Sequence, residues 1–225
     1  RMDLDNILST LKGRPLITAH SCPTAYLSIW VHSVLQPYVE NNSTVLKDTK
    51  ELIQFLDSFA PTTDYVLGTA DVHSLYPSIP TDDGLLRIYD YLLNQGMDPQ
   101  LCGLVCDALN VVLRNNFFVF KNRYWLQIDG TAMGTNSGPS YANLFLICLE
   151  LGFIEAAILF FKRFLDDLII AAITYDKAAD IFKRYNNLHE RINIDFEIGN
   201  KVDFLNLTIT CNGPGRKILY RSYAK

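Results

Sequence analysis

The most constraining stretch of the chain is Phe160-Phe161-Lys162-Arg163-Phe164-Leu165-Asp166-Asp167-Leu168-Ile169-Ile170-Ala171-Ala172-Ile173, where two adjacent aspartates sit between apolar runs. Apolar, β-prone residues on either side of a short polar break read as strand, turn, strand. Two neighbouring carboxylates in such surroundings cost free energy unless a cation is held beside them. Asp71 ends a second apolar run, Tyr65 to Ala70. A strand–turn–strand bearing two carboxylates, next to a strand bearing a third, is one way to clamp two divalent metals for phosphoryl transfer. Taken alone, the doublet has a plainer reading as a hairpin tip, where Asp serves turn geometry.

A chain of 225 residues can bury a sizeable core, as one large domain or two lobes, and 49% apolar with 20% charged residues is ordinary globular composition. No apolar run reaches the roughly 18 to 20 residues of a membrane span. The most apolar segment, Leu144 to Phe161, is broken by Glu150, Gly152 and Glu155, so no membrane partner is expected. The sequence opens on Arg1 and stops just after a strand-like segment, and so reads as a piece of a longer protein. Its five cysteines are scattered, and only Cys102 and Cys106 lie close together. Without a second pair or nearby histidines they read as core thiols rather than a zinc site, in a reducing, intracellular setting. A net charge of −4 argues mildly against a nucleic-acid binder. Local basic patches rather than net charge do such binding, however.

Periodicity sets out the elements. Leu27, Trp30, Val31, Val34, Leu35 and Tyr38 predict a helix after Pro23, which Pro37 should end. A second helix is expected from Asp48 to Phe59, then the strand ending at Asp71. Helices follow at 83–94 and 99–114. Phe117 to Phe120 and Tyr124 to Ile128 form a hairpin about Lys121-Asn122-Arg123. The turn-rich segment Asp129 to Ser140 leads into a helix from Pro139 to Ala157. After the aspartate doublet come a helix from Asp176 to Ile192 and three strands, Ile194 to Ile198, Val202 to Thr210 and Lys217 to Tyr223. The pattern is α+β, an antiparallel sheet flanked by helices.

Four segments occur in a fixed order: Asp71-Val72-His73-Ser74-Leu75-Tyr76-Pro77-Ser78-Ile79-Pro80; Gly134-Thr135-Asn136-Ser137-Gly138-Pro139-Ser140-Tyr141-Ala142-Asn143-Leu144; Phe164-Leu165-Asp166-Asp167; and Val202-Asp203-Phe204-Leu205-Asn206-Leu207-Thr208. Together they resemble motifs A, B, C and E of reverse transcriptases, in wording closest to the Penelope-like group, which is related to telomerase reverse transcriptase. Lys12-Gly13-Arg14-Pro15-Leu16-Ile17 resembles that group's basic finger motif. The resemblance covers nearly the whole chain.

It implies a right-handed fingers–palm architecture: residues 1–62 in the fingers, 63–84 in the palm with motif A, 85–130 as a connection, and 131–225 in the palm with motifs B, C, D and E. The thumb is expected outside this chain. It implies an RNA-directed DNA polymerase core that transfers nucleotides from dNTPs to a primer 3′-OH with two magnesium ions, or manganese in their place. Asp71, Asp166 and Asp167 would hold the metals, helped by the backbone carbonyl of Val72. Lys12, Arg14, His73, Ser74, Leu75, Tyr76, Met133 and Gly134 would line the nucleotide site, with the Tyr76 ring beneath the sugar disfavouring a 2′-OH. For His73, as for Glu197, a solvent-facing or structural role weighs more. Met133 stands where many retroviral-type enzymes carry Gln, which puts one polar nucleotide contact in doubt. Phe204, Leu205, Asn206 and Leu207 would form the primer grip. Lys162 and Arg163 would touch primer or template phosphates or form a solvated face, and Lys201 is a candidate to protonate the leaving pyrophosphate. The partners implied are an RNA template, a DNA primer, nucleoside triphosphates and further domains of the full-length protein, with a nuclear location if the source is a mobile element. Two rivals remain: a domesticated relative that adds NTPs or dNTPs without a template, and a non-catalytic scaffold on a polymerase fold.

Overall fold

A computed structural model describes residues 22–120, 122–153 and 158–222. The chain begins with helix α1 (Ala25–Glu40), whose buried stripe includes Val31, Leu35 and Val39. Pro37 lies inside it rather than at its end. Proline lacks the N–H that would reach back one turn, yet the helix runs on until the Asn41 N–H bonds the Pro37 carbonyl at 3.0 Å. Burial of Val39 in the core favours that last turn. Helix α2 (Thr49–Ser58) starts at Asp48, whose carboxylate accepts from the Glu51 N–H at 2.8 Å.

Strand β1 (Val66–Val72) follows, then the short α3 (Leu75–Ser78), α4 (Thr81–Asn94) and α5 (Pro99–Arg114). The hairpin β2 (Phe117–Phe120) and β3 (Arg123–Leu126) precedes α6 (Gly138–Glu150). Next are β4 (Ile158–Phe164), β5 (Asp167–Ala172), α7 (Tyr175–Tyr185), β6 (Ile194–Gly199), β7 (Lys201–Phe204), β8 (Leu207–Thr210) and β9 (Leu219–Ser222).

Two of these helices are shorter than periodicity predicts. Helix α6 stops at Glu150, where Leu151 takes extended ψ and Gly152 has a φ of 74°. Helix α7 stops at Tyr185, and the Asn186 side chain accepts from the Ile194 N–H at 2.9 Å, steering the chain into β6. Leu188 and Ile192 still pack on the core from the intervening loop, so their apolar spacing is real although the helix is not. The expected strand from Val202 to Thr210 is instead the hairpin β7–β8, turned at Leu205 and Asn206.

Strands β4, β5, β1 and β6 form one antiparallel sheet in that order, and β7, β8 and β9 form a second. The first sheet is covered on both faces. On one, Gly68, Ala70, Leu168, Ile170 and Phe161 meet α6 and α7. A Cβ at Gly68 would stand 2.5 Å from the Phe182 ring, so glycine makes room for α7 to dock. On the other face, Leu67, Phe160, Ile169 and Ala171 pack against Leu52 and Leu56 of α2 and against Val202, Phe204 and Ile209. Each completely buried aliphatic side chain here contributes about 1.5–3 kcal/mol. This second face is apolar only over part of its length; towards one end of β1 and β5 it becomes acidic.

Candidate active site

Strand register builds the site. Asp71 on β1 lies opposite Asp167 on β5 and, on its other side, opposite Asp195 on β6. Alternation along β1 puts Thr69 and Asp71 on the same face as Leu67, so the strand passes from packed core to open cleft within two residues. Carboxylates directly opposite one another across antiparallel strands destabilise a sheet. The row therefore calls for positive charge. At one end of it stands His73, whose Nε2 lies 2.5 Å from Asp195 Oδ2.

Asp166 occupies the β4–β5 turn, half-buried, and its carbonyl accepts from the Val72 N–H at 2.9 Å. The turn is tight because Leu165 adopts a left-handed φ of 53°. The doublet is thus split: Asp167 faces Asp71 across the ladder while Asp166 sits at the tip.

The cleft in front of this row has a volume of about 510 Å³. Asp71, Asp167, Asp195, Glu197 and Asp203 contribute carboxylates to its lining, and among the described residues no basic side chain lines it. Glu197 accepts from the Thr69 hydroxyl at 3.2 Å. Opposite the row, the β7–β8 turn forms the far wall through Leu205 and Asn206, at φ of 46° and 64°. Phe204 lines the cleft too while packing in the core, and Leu207 is buried in the same core. The Leu205 carbonyl accepts from the Thr49 hydroxyl at 3.3 Å, tying the turn to α2.

Beside Asp166 lie the segment after β1 and the loop before α6. Tyr76 is half-buried, and burial, then the nearby Asp166 charge, pushes its phenol up, so the ring stays neutral beside the carboxylates. Its carbonyl accepts from the Thr131 N–H at 2.9 Å. A Cβ at Gly130 would lie 2.6 Å from that same carbonyl oxygen, and Gly130 has a φ of 73°, so this close approach requires glycine. Gly138 lies against the Tyr76 ring, 3.3 Å from where its Cβ would be. Helix α6 begins there, pinned to α1 by the Ser28 hydroxyl, which accepts from the Ser137 N–H at 2.9 Å.

The structure brings Asp71, Val72, Asp166, Asp167 and Tyr76 together, with Phe204, Leu205 and Asn206 lining the cleft beside them. Ser74 and Gly134 are exposed and Met133 half-buried, whereas Leu75 puts its side chain into the core and has only backbone to offer a ligand. Lys12 and Arg14 lie outside the described residues. Lys201 sits at the end of β7 away from the turn, opposite Thr210, and does not line the cleft. His73 is engaged by Asp195 rather than facing solvent alone.

The expected phosphate contact by Arg163 is overturned. Arg163 is completely buried and paired with Glu150 at 2.8 Å, because strand alternation places it on the same inward face as Phe161. Lys162 points the other way, donates to the Ser43 carbonyl at 2.6 Å and lies 4.6 Å above the Phe55 ring. The sequence reading missed Asp195 and Asp203 altogether. Alternation in Ile194-Asp195-Phe196-Glu197 was the available signal, since it sets two acids on one face.

Among the described residues, no three His, Cys, Asp or Glu side chains are arranged to hold a metal ion by themselves. The donor chemistry of the row is nonetheless hard-oxygen, and magnesium usually takes only one or two protein carboxylates, completing its shell with water and substrate phosphate. The five cysteines are free thiols; burial pushes Cys106 and Cys148 up to about 12, which keeps them protonated. No described helix is long and apolar enough to cross a membrane.

No family profile and no curated protein matches the sequence. Solved structures do match. Apo telomerase from Candida tropicalis, truncated from its C-terminal domain, superposes with a TM-score of 0.61 at 14% identity, covering 89% of this chain and 45% of that one. Candida albicans telomerase in complex with a TWJ fragment of telomeric RNA gives 0.65 at 9% identity, covering 84% and 37%. The quiescent RNA-dependent RNA polymerase of BmCPV gives 0.61 at 11% identity, covering 82% and 19%. The fold is polymerase-like. This chain spans less than half the length of each of these proteins.

Proposed function

We propose that this chain is the fingers–palm core of an RNA-directed DNA polymerase of the Penelope-like kind. The observation that carries the proposal is the opposition of Asp71 and Asp167 on the two central strands, with Asp166 at the adjoining turn, in a polymerase-like fold. Asp71, Asp166 and Asp167 would hold two divalent ions, assisted by the Val72 carbonyl. When bound, the ions lower the pKa of the primer hydroxyl and steady the leaving pyrophosphate.

The chain's own residues do the positioning. The Tyr76 ring, held against Gly138 and kept neutral, presents a flat apolar face where a sugar would rest and leaves little room for a 2′-OH. The glycine loop before α6 lets backbone approach a base pair or triphosphate closely. Leu205 and Asn206 face the aspartates across the cleft, where a primer end would be steadied. Solved relatives of the fold include a telomerase bound to an RNA fragment, which supports nucleic-acid partners here. The acid excess of the cleft supports metals as well, because bare carboxylates would repel phosphates.

A second reading keeps the site and changes the sugar. The likeness to an RNA-dependent RNA polymerase favours ribonucleotide addition, and template-independent addition by a domesticated relative belongs to the same chemistry. Primer extension by the full-length protein, with dNTPs or NTPs and with RNA, DNA or no template, separates them. Template-directed dNTP incorporation is expected. Template-independent addition preferring NTPs would overturn the reverse-transcriptase reading and spare the site.

A further inference from the structure

We propose that Arg163 is a positioning residue: it fastens the Leu165–Asp166 turn to helix α6 and thereby sets where the aspartate doublet stands relative to Asp71. This inference rests on the reading of the doublet as the metal-holding turn. The Arg163 guanidinium lies in the core between β4 and α6. Its Nε donates to Glu150 Oε1 at 2.8 Å, Nη1 to Asn143 Oδ1 at 2.6 Å and to the Leu165 carbonyl at 3.0 Å, and Nη2 to the Asn143 carbonyl and Glu150 Oε2, both at 3.3 Å. A guanidinium has five N–H donors, and each finds an acceptor. The Tyr185 hydroxyl donates to Glu150 Oε1 at 2.8 Å and closes the network.

A buried ion pair is a poor stabiliser, because desolvation offsets most of its attraction. What it specifies well is geometry, since the planar fork fixes directions that a lysine cannot. Here the fork joins the middle of α6, the end of α6 and the carbonyl of the strained residue Leu165. A branched side chain in the left-handed region costs about 1–3 kcal/mol and persists only when its surroundings over-determine it. The next carbonyl, that of Asp166, takes the Val72 N–H. Arg163 thus stands at one end of a short chain of contacts leading from α6 through the turn to β1. The same helix begins at the glycine loop beside Tyr76, so it borders the Tyr76 ring as well.

The test uses the full chain carrying Arg163→Met together with Glu150→Gln, which removes both charges and leaves no buried ion unpaired. The Val72 amide reports directly on the turn, and its hydrogen exchange is compared by NMR with that of other β1 amides such as Ala70. If Arg163 positions the turn, Val72 exchange accelerates about tenfold more than its β1 neighbours, Mn2+ binding by calorimetry weakens, and primer extension loses kcat with KM for dNTP little changed. Arg163→Lys keeps the charge but not the fork, so it shows the same selective acceleration and serves should the double variant fail to fold. Exchange that rises equally at all β1 amides, with Mn2+ affinity unchanged, would reduce Arg163 to a packing residue and overturn the proposal. The exchange result needs neither metal nor substrate. A wild-type protein that transfers no nucleotide would therefore sink the functional reading separately, with exchange still deciding the positioning role.

Discussion

Two charged clusters occupy opposite faces of one sheet. Behind it, Arg163 and Glu150 are sealed in the core with Asn143 and Tyr185, one cation against one anion with every guanidinium N–H used. In front, Asp71, Asp167 and Asp195 stand in a row with Glu197 and Asp203 close by, exposed or half-buried, and His73 lies against Asp195. The balanced cluster tolerates a dry interior, and the unbalanced one stays open to water. The contrast teaches where to look for function: a cluster whose charges cancel supports the fold, while an acidic cleft open to water is where the proposed cation binding is to be tested.

The comparison breaks most visibly by removing the excess. Asp71→Asn with Asp167→Asn should cost several kcal/mol of transition-state stabilisation, roughly a thousandfold in primer extension or more. Thermal unfolding should show the melting temperature unchanged or raised, since like charges are removed from opposed strands. On the balanced side the signs reverse. Glu150→Leu strands a buried cation and should cost about 3–5 kcal/mol in denaturant unfolding, most of it recovered when Arg163→Met is added.

Much of this was legible in the sequence. The strand–turn–strand about Asp166 and the strand ending at Asp71 followed from apolar runs, and the glycine loop from its composition. Helix ends were less legible, because Leu188 and Ile192 keep helical spacing while packing from a loop. Arg163 was misread since a basic residue beside two aspartates resembles a phosphate ligand. Its period-two alignment with Phe161 carried the true answer, and its partner Glu150, sixteen residues before Asp166 in the chain order, is brought near only by folding. Asp195 escaped for the same reason: register, not sequence distance, sets it beside Asp71.

Smaller effects sharpen the boundary between the clusters. Gly130→Ala meets the Tyr76 carbonyl and a positive φ together, so it should cost about 1–3 kcal/mol and raise KM for dNTP, read by denaturant unfolding and steady-state kinetics. Asn206→Gly relieves a left-handed turn residue at the far wall of the cleft. It should stabilise by no more than about 0.5 kcal/mol, detectable as a small rise in melting temperature.

Binding of divalent cations by the acidic cleft is the core of the proposed function. Calorimetric titration of Mn2+ in the presence of a dNTP, comparing wild type with the Asp71→Asn, Asp167→Asn variant, addresses it directly. Saturable binding by the wild type and its loss in the folded variant are expected. Equal binding by both proteins would contradict it.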